Sequence, residues 1–197
     1  MAEVIREIVT GPKLGAQMGA VCAALDYNRR IGFEAVNLTV VSVPLLGNQD
    51  SGECENNGDI DERWLFDRMK SRPGMPDGVE MGRRFKVVTI SLSGRYSIND
   101  ATIFQSRKIV DLSDGVVIFS DRGAVGLPEV TRYCDVVRKP FMICEQPEPL
   151  SVAKWCVENS IQSLGIVGLR EISCPGIQES VFGVISDTFG LAQNLSA

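Results

Sequence analysis

Three cationic side chains of this 197-residue chain stand in glycine-bearing stretches: Lys13 in Gly11-Pro12-Lys13-Leu14-Gly15, Arg122 in "SDRGAVGLPEV" (120–130) and Arg170 in "GLREISCPGI" (168–177). Each stretch follows a short β-branched run and precedes a segment of helical spacing. Glycine is costly inside a helix and useful where backbone must come close to something. A helix start adds free N–H groups and the positive end of a dipole. Glycine, helix start and cation together describe a site for phosphate or carboxylate, with Gly11, Lys13, Gly15, Arg122, Gly126 and Arg170 as its contacts. The same glycines can serve tight turns for packing alone, and Arg170 can pair with Glu171 or a neighbouring acid and merely hold its helix.

Two acids flank the second stretch. Asp121 can hydrogen-bond a ribose or act as an acid or base. Glu129, in the first turn of the following helix, can assist departure of a leaving group by stabilising positive charge as it develops, or simply favour the helix dipole. Asp111 and Asp114, in "VDLSDGVVIF", precede a buried strand, and the spacing predicts that one of them caps the preceding turn. Trp64 and Trp155 read as packing residues.

Composition removes several classes of chemistry. The chain has no histidine, which excludes His-based triads and bases and leaves no expected metal site, since imidazole is the usual ligand of catalytic zinc. The six cysteines are widely spaced, without a C-x-x-C pair, and read as reduced core thiols. With 20 basic against 25 acidic residues and a net charge of -5, no basic face for nucleic acid is expected. "MAEVIREIV" lacks the basic and long apolar regions of a signal peptide, and no apolar run reaches the length of a membrane span. The expectation is a cytosolic protein without membrane or nucleic-acid partners.

The elements that must position these residues follow from periodicity. Strands are predicted at 4–9, 35–43, 85–92, 115–120, 140–145 and 165–169, alternating with helical segments, the signature of a parallel α/β sheet. Met18, Val21, Cys22 and Leu25 form one apolar stripe on the first helix, which Arg29 and Arg30 end facing water. Further helices are predicted at about 97–110, 127–138, 149–163 and 175–190, with Pro149 and Pro175 as start signals. Residues 46–84, rich in Gly, Asn, Asp and Pro, form an irregular insertion with a helical turn or two around "DIDERWLFDRMKS"; a connection this long is usually a lid or an interface arm. The length suits one compact domain, residues 1–197, with a Rossmann-like parallel sheet of about six strands flanked by helices. Ligands of such sheets bind outside the carboxyl ends of the strands.

With those loops in place, the chain resembles the molybdenum-cofactor carrier family, a branch of the Rossmann-like superfamily shared with DNA-processing protein A and the cytokinin-activating phosphoribohydrolases. "GPKLGAQMGAVCAALDYNRRIG" sits where the family has a Gly-Gly-Gln-Thr-Gly turn and helix, and "LSDGVVIFS" and "RKPFMICE" match its next strands. "GLREISCPGI" matches a Gly-x-Arg-Glu stretch ending in Pro-Gly-Ile, the most specific piece. Pro12 and Lys13 replace the family's second glycine and glutamine, Gln17 replaces an aspartate, and Val125-Gly126-Leu127 stands where the family has a Gly-Gly-Thr phosphate loop.

The resemblance implies a binding protein for a nucleotide or another phosphorylated, pterin-like ligand of the molybdopterin type. It also implies a homo-oligomer, since relatives pair through helices; the apolar Trp64-Leu65-Phe66 within the polar insertion points the same way. Two other functions stay open. One is hydrolysis of a nucleotide N-glycosidic bond, with Glu129 or Asp121 assisting the base and Arg122 or Arg170 on the phosphate. The other is a degenerate member that binds no ligand and acts through protein–protein contacts. An open cleft lined by Lys13 and Arg170 favours the first two, and one filled by Val125 and Leu127 the third.

Overall fold

The computed structural model describes residues 4–31, 35–43, 62–71, 75, 84–90, 98–120, 128–146 and 148–196. Six strands, β1 (Glu7–Thr10), β2 (Asn37–Ser42), β3 (Phe85–Thr89), β4 (Gly115–Phe119), β5 (Phe141–Cys144) and β6 (Ser163–Gly168), form one sheet in the order β3-β2-β1-β6-β4-β5. Every pairing is parallel. Six helices alternate with the strands: α1 (Ala16–Ile31), α2 (Glu62–Lys70), α3 (Ile98–Leu112), α4 (Pro128–Val137), α5 (Pro149–Glu158) and α6 (Ile177–Leu195). The molecule is therefore a single parallel six-stranded sheet with flanking helices, the Rossmann-like α/β class that the alternation predicts.

The strands read as near-continuous apolar runs because both faces of the sheet are covered. Their period of two separates the faces. Ile8, Val40, Val117, Phe119 and Ile166 pack with Met18, Val21 and Leu25 of α1, Val152 and Cys156 of α5, and Val181, Ile185 and Phe189 of α6. Their neighbours Val9, Val41, Val116, Ile118 and Val167 pack on the other side with Ile109 and Val110 of α3 and Val130 and Cys134 of α4. Each such buried side chain contributes roughly 1.5–3 kcal/mol relative to exposure.

Several local expectations change against this frame. α5 stops at Glu158 rather than running to 163, because Asn159 caps it and Ser160 turns at φ 55 to bring the chain into β6. α6 begins at Ile177, two residues beyond Pro175, with Gly176 at φ 87 before it. Asp114 does not cap its own turn; its Oδ2 accepts the backbone N–H groups of Gln162 (3.0 Å) and Ser163 (2.8 Å) and fixes the start of β6 beside β4. Arg29 and Arg30 do end α1 facing water, and there both pair with Asp26, at 2.7 and 2.9 Å.

The described part of the insertion's apolar cluster is covered by the chain itself. Leu65, Phe66 and Met69 of α2 are buried in the core, and the Phe66 ring meets that of Phe85 edge-on at 5.3 Å. Leu65 and Phe66 therefore need no second subunit to shield them, which removes the physical motive they gave for a homo-oligomer. The rest of the insertion, apart from residues 62–71, 75 and 84, and the Trp64 side chain lie outside the described residues.

Candidate functional site

Strands β1, β2 and β3 are laid down in one direction from the middle of the sheet and β4 and β5 on the opposite side, with β6 inserted between β1 and β4. The loops leaving β1 and β6 therefore meet at the carboxyl edge, where a parallel sheet opens a crevice. They join directly. Gly15 and Arg170 form an antiparallel bridge, Ala16 N–H donates to the Leu169 carbonyl (3.1 Å) and Glu171 N–H to the Leu14 carbonyl (3.3 Å).

This contact explains the glycine at position 15. Its φ is +109, and a Cβ there would lie 2.5 Å from the Leu169 oxygen, 2.6 Å from the Glu171 nitrogen and 2.8 Å from the Arg170 Cα. The close approach that Gly15 permits is between two loops of the same chain. At Gly11 the neighbours are side chains: a Cβ would sit 2.5 Å from Gln17 Oε1 and 2.9 Å from Gln105 Nε2. Much of the backbone donor capacity of the first loop is also spent internally, on the Ala16 bond above and on Lys13 N–H to Gln17 Oε1 and Gly15 N–H to Gln178 Oε1, both at 3.4 Å.

The loop presents its charge through side chains instead. Lys13 Nζ donates to Thr102 Oγ1 at 2.8 Å, and Arg170 Nη2 approaches the same hydroxyl at 3.4 Å. Burial, and then the neighbouring Arg170 guanidinium, pull the Lys13 pKa from 10.5 down to about 8. No ion pair of Lys13 or Arg170 occurs among the described residues, where the salt bridges are those of Asp26. Glu171 is otherwise engaged: its carboxylate accepts Gly176 N–H at 2.5 Å and Gln178 N–H at 3.0 Å, capping α6. Arg170 is thus not the partner of Glu171, and the start of α6 is already filled by a protein anion.

Around this pair lies a cavity of about 790 Å³ lined by Pro12, Lys13, Leu14, Ser42, Val43, Ala101, Thr102, Gln105, Arg170, Glu171 and Ile172. The volume falls within the roughly 300–1,000 Å³ of small-molecule sites. The α3 residues Thr102 and Gln105 escaped the sequence reading. A signal for them exists: Thr102, Gln105 and Ser106 share the inward stripe of α3 with Ile109 and Val110, and polar residues continuing an apolar face call for a partner.

Of the proposed contacts, Lys13 and Arg170 line this cavity; Gly15 is bridged to Arg170, and Gly11 lies against Gln17 and Gln105, neither glycine among the lining residues. Asp121, Arg122 and Gly126, together with Val125 and Leu127, lie outside the described residues. Glu129 is exposed at the start of α4 and lines a separate small cavity with Ile103, Ser106, Arg107 and Val130, sharing only Thr102 with the larger one. Among the described residues no group of three or more Cys, Asp or Glu side chains is placed to hold a metal ion. Cys22, Cys134, Cys144 and Cys156 are free and buried, and burial pushes their thiol pKa values up, so none presents a thiolate. No described helix is long and apolar enough to cross a membrane.

No protein-family model matches the chain, and no curated protein matches it. Among solved structures it is similar to the crystal structure of a protein named "Putative molybdenum carrier protein" from Syntrophus aciditrophicus SB, with 16% identity and a TM-score of 0.57 over 95% of this chain and 97% of that one. At this identity the likeness is one of fold. The neighbour's name is that of the family which the motifs around Gly15 and Arg170 resemble, and the two chains share that fold along nearly their whole lengths.

Proposed function

We propose that this protein binds a small anionic ligand, a nucleotide or another phosphorylated pterin-like molecule of the molybdopterin type, in the cavity at the carboxyl edge of β1 and β6. The observation that carries this reading is the convergence of Lys13 and Arg170 on the Thr102 hydroxyl with no carboxylate paired to either among the described residues. Two cations held side by side repel, and a bound phosphate or carboxylate converts that repulsion into charge-assisted hydrogen bonds. Gly11 and Gly15 shape the loop that carries Lys13, while Arg122 and Gly126 are proposed as further contacts from the stretch that follows β4 in sequence. The name of the structural neighbour supports a carrier role. Binding is favoured over glycosidic hydrolysis because Glu171, the one acid of the described cavity lining, is committed to capping α6, and Glu129 lines a different cavity. We place this activity in the cytosol, in a chain that binds neither nucleic acid nor membrane; the homo-oligomer rests on the resemblance alone.

Native mass spectrometry of the protein as purified from cells tests the reading, together with titration of nucleoside 5′-monophosphates and inorganic pyrophosphate. A retained nucleotide or molybdopterin mass, or saturable binding that Lys13→Ala abolishes, supports it. Absence of both a retained mass and saturable binding refutes it.

A further inference from the structure

We infer that the same cavity holds a second, uncharged subsite built on Gln105, which accepts a hydrogen bond from a ring N–H of the ligand. This rests on the anion-binding reading above and specifies what the other end of the ligand must carry. Gln105 lines the cavity one helical turn beyond Ala101 and Thr102, yet its residue is only 2% exposed. Its carboxamide orientation is fixed: Nε2 donates to the Val41 carbonyl at the end of β2 at 2.7 Å. Exchanging the amide nitrogen and oxygen would set two acceptors against each other, so the bond to Val41 assigns the other atom as oxygen. That atom, Oε1, is buried and has no hydrogen-bond partner among the described residues.

A buried acceptor without a donor is rare, and each case calls for an explanation such as a water or a ligand. Here the unsatisfied oxygen belongs to a side chain lining the cavity where two cations already await an anion. The two cations of the lining, Lys13 and Arg170, are turned to Thr102 rather than to Gln105. The complementary ligand has an anionic group at Lys13 and Arg170 and, across the cavity, a neutral heterocycle with an N–H on its edge, as in a lactam ring. A sugar phosphate without a ring satisfies only the first requirement.

The test compares ligands of equal charge. Inosine 5′-monophosphate and guanosine 5′-monophosphate carry a ring N–H, whereas purine riboside 5′-monophosphate carries none. Calorimetric titration of the intact protein should give about tenfold tighter binding for the N–H ligands, the loss expected when a site built for a donor receives an analogue without one. In Gln105→Met that preference should collapse to about one while the affinity for inorganic pyrophosphate stays within about threefold, because a charge contact on Lys13 and Arg170 is left in place. Should Gln105→Met fail to fold, the comparison of ligands on the unmodified protein still decides. Equal affinity for ligands with and without the N–H overturns the inference while leaving the anion site standing, and assigns the Oε1 partner to trapped water. Failure of pyrophosphate and all three nucleotides to bind overturns both.

Discussion

Replacing Lys13 by methionine should make the unliganded protein more stable, and the gain should depend on pH. Burial and Arg170 lower the Lys13 pKa from 10.5 to about 8. At about 1.4 kcal/mol per pKa unit, that gap corresponds to roughly 3 kcal/mol for carrying the charge in the folded state. The side chain keeps some solvent contact, so screening reduces this to about 2 kcal/mol. Loss of the 2.8 Å bond to Thr102 takes back about 1 kcal/mol. A net gain of about 1 kcal/mol should raise the melting temperature by roughly 2–4 °C at pH 7 for a chain of this size. The sign over pH follows from linkage. Below about pH 8 Lys13 is charged in both folded and unfolded chains and the penalty is present in full. As pH rises from about 8 to 10.5 the folded chain has lost the proton and the unfolded chain has not, so wild type gains stability relative to the variant and the gap closes. Differential scanning fluorimetry of both proteins between pH 7 and 10.5 measures this directly. A variant that melts lower than wild type at pH 7, with a difference that does not change on the way to pH 10.5, would refute the argument that Lys13 is a destabilising, function-bearing charge.

Two further predictions use the same loops. Arg170→Lys should weaken binding of a phosphorylated ligand at least several-fold, since lysine cannot reproduce a two-pronged guanidinium contact, yet leave the melting temperature within about 2 °C because no ion pair is lost; calorimetry beside thermal melting separates the two. Glu171→Ala should cost about 0.5–2 kcal/mol of stability by leaving the first N–H groups of α6 without their cap, and a chemical-denaturation midpoint unchanged from wild type would refute the capping role.

The alternation of apolar runs was enough to read all six strands and the helices between them, because a sheet buried on both faces writes itself into each strand as a continuous apolar segment. Their order was not legible: nothing in "SLGIVGL" says that it lies between the first and fourth strands, since pairing partners are chosen by tertiary packing. Arg170 could be singled out from its loop, but not freed from Glu171 until Gly176 and Gln178 were seen to claim that carboxylate. Thr102 and Gln105 were missed for a related reason. They sit on a helix at positions a core face would occupy, and only the arrival of Lys13 from 89 residues away turns that face into the wall of a site. Gly15 carried an ambiguous signal, a need for close approach, and the structure gives its object as the 169–171 backbone.

The placement of β6 between β1 and β4 also bears on how this protein is made. A ribosome delivers the amino end first, so five strands emerge before the one that joins them exists. Until then β1 and β4 each present an unpaired edge, and the emerging chain holds two part-sheets with an open slot between them rather than a closed core. Exposed strand edges invite association with other chains, so the interval before residues 163–168 leave the exit tunnel is when this sequence most needs chaperone cover. The bridge from Gly15 to Arg170 cannot form before residue 170 emerges, and a product terminated before residue 163 therefore lacks both its central strand and one wall of its binding site.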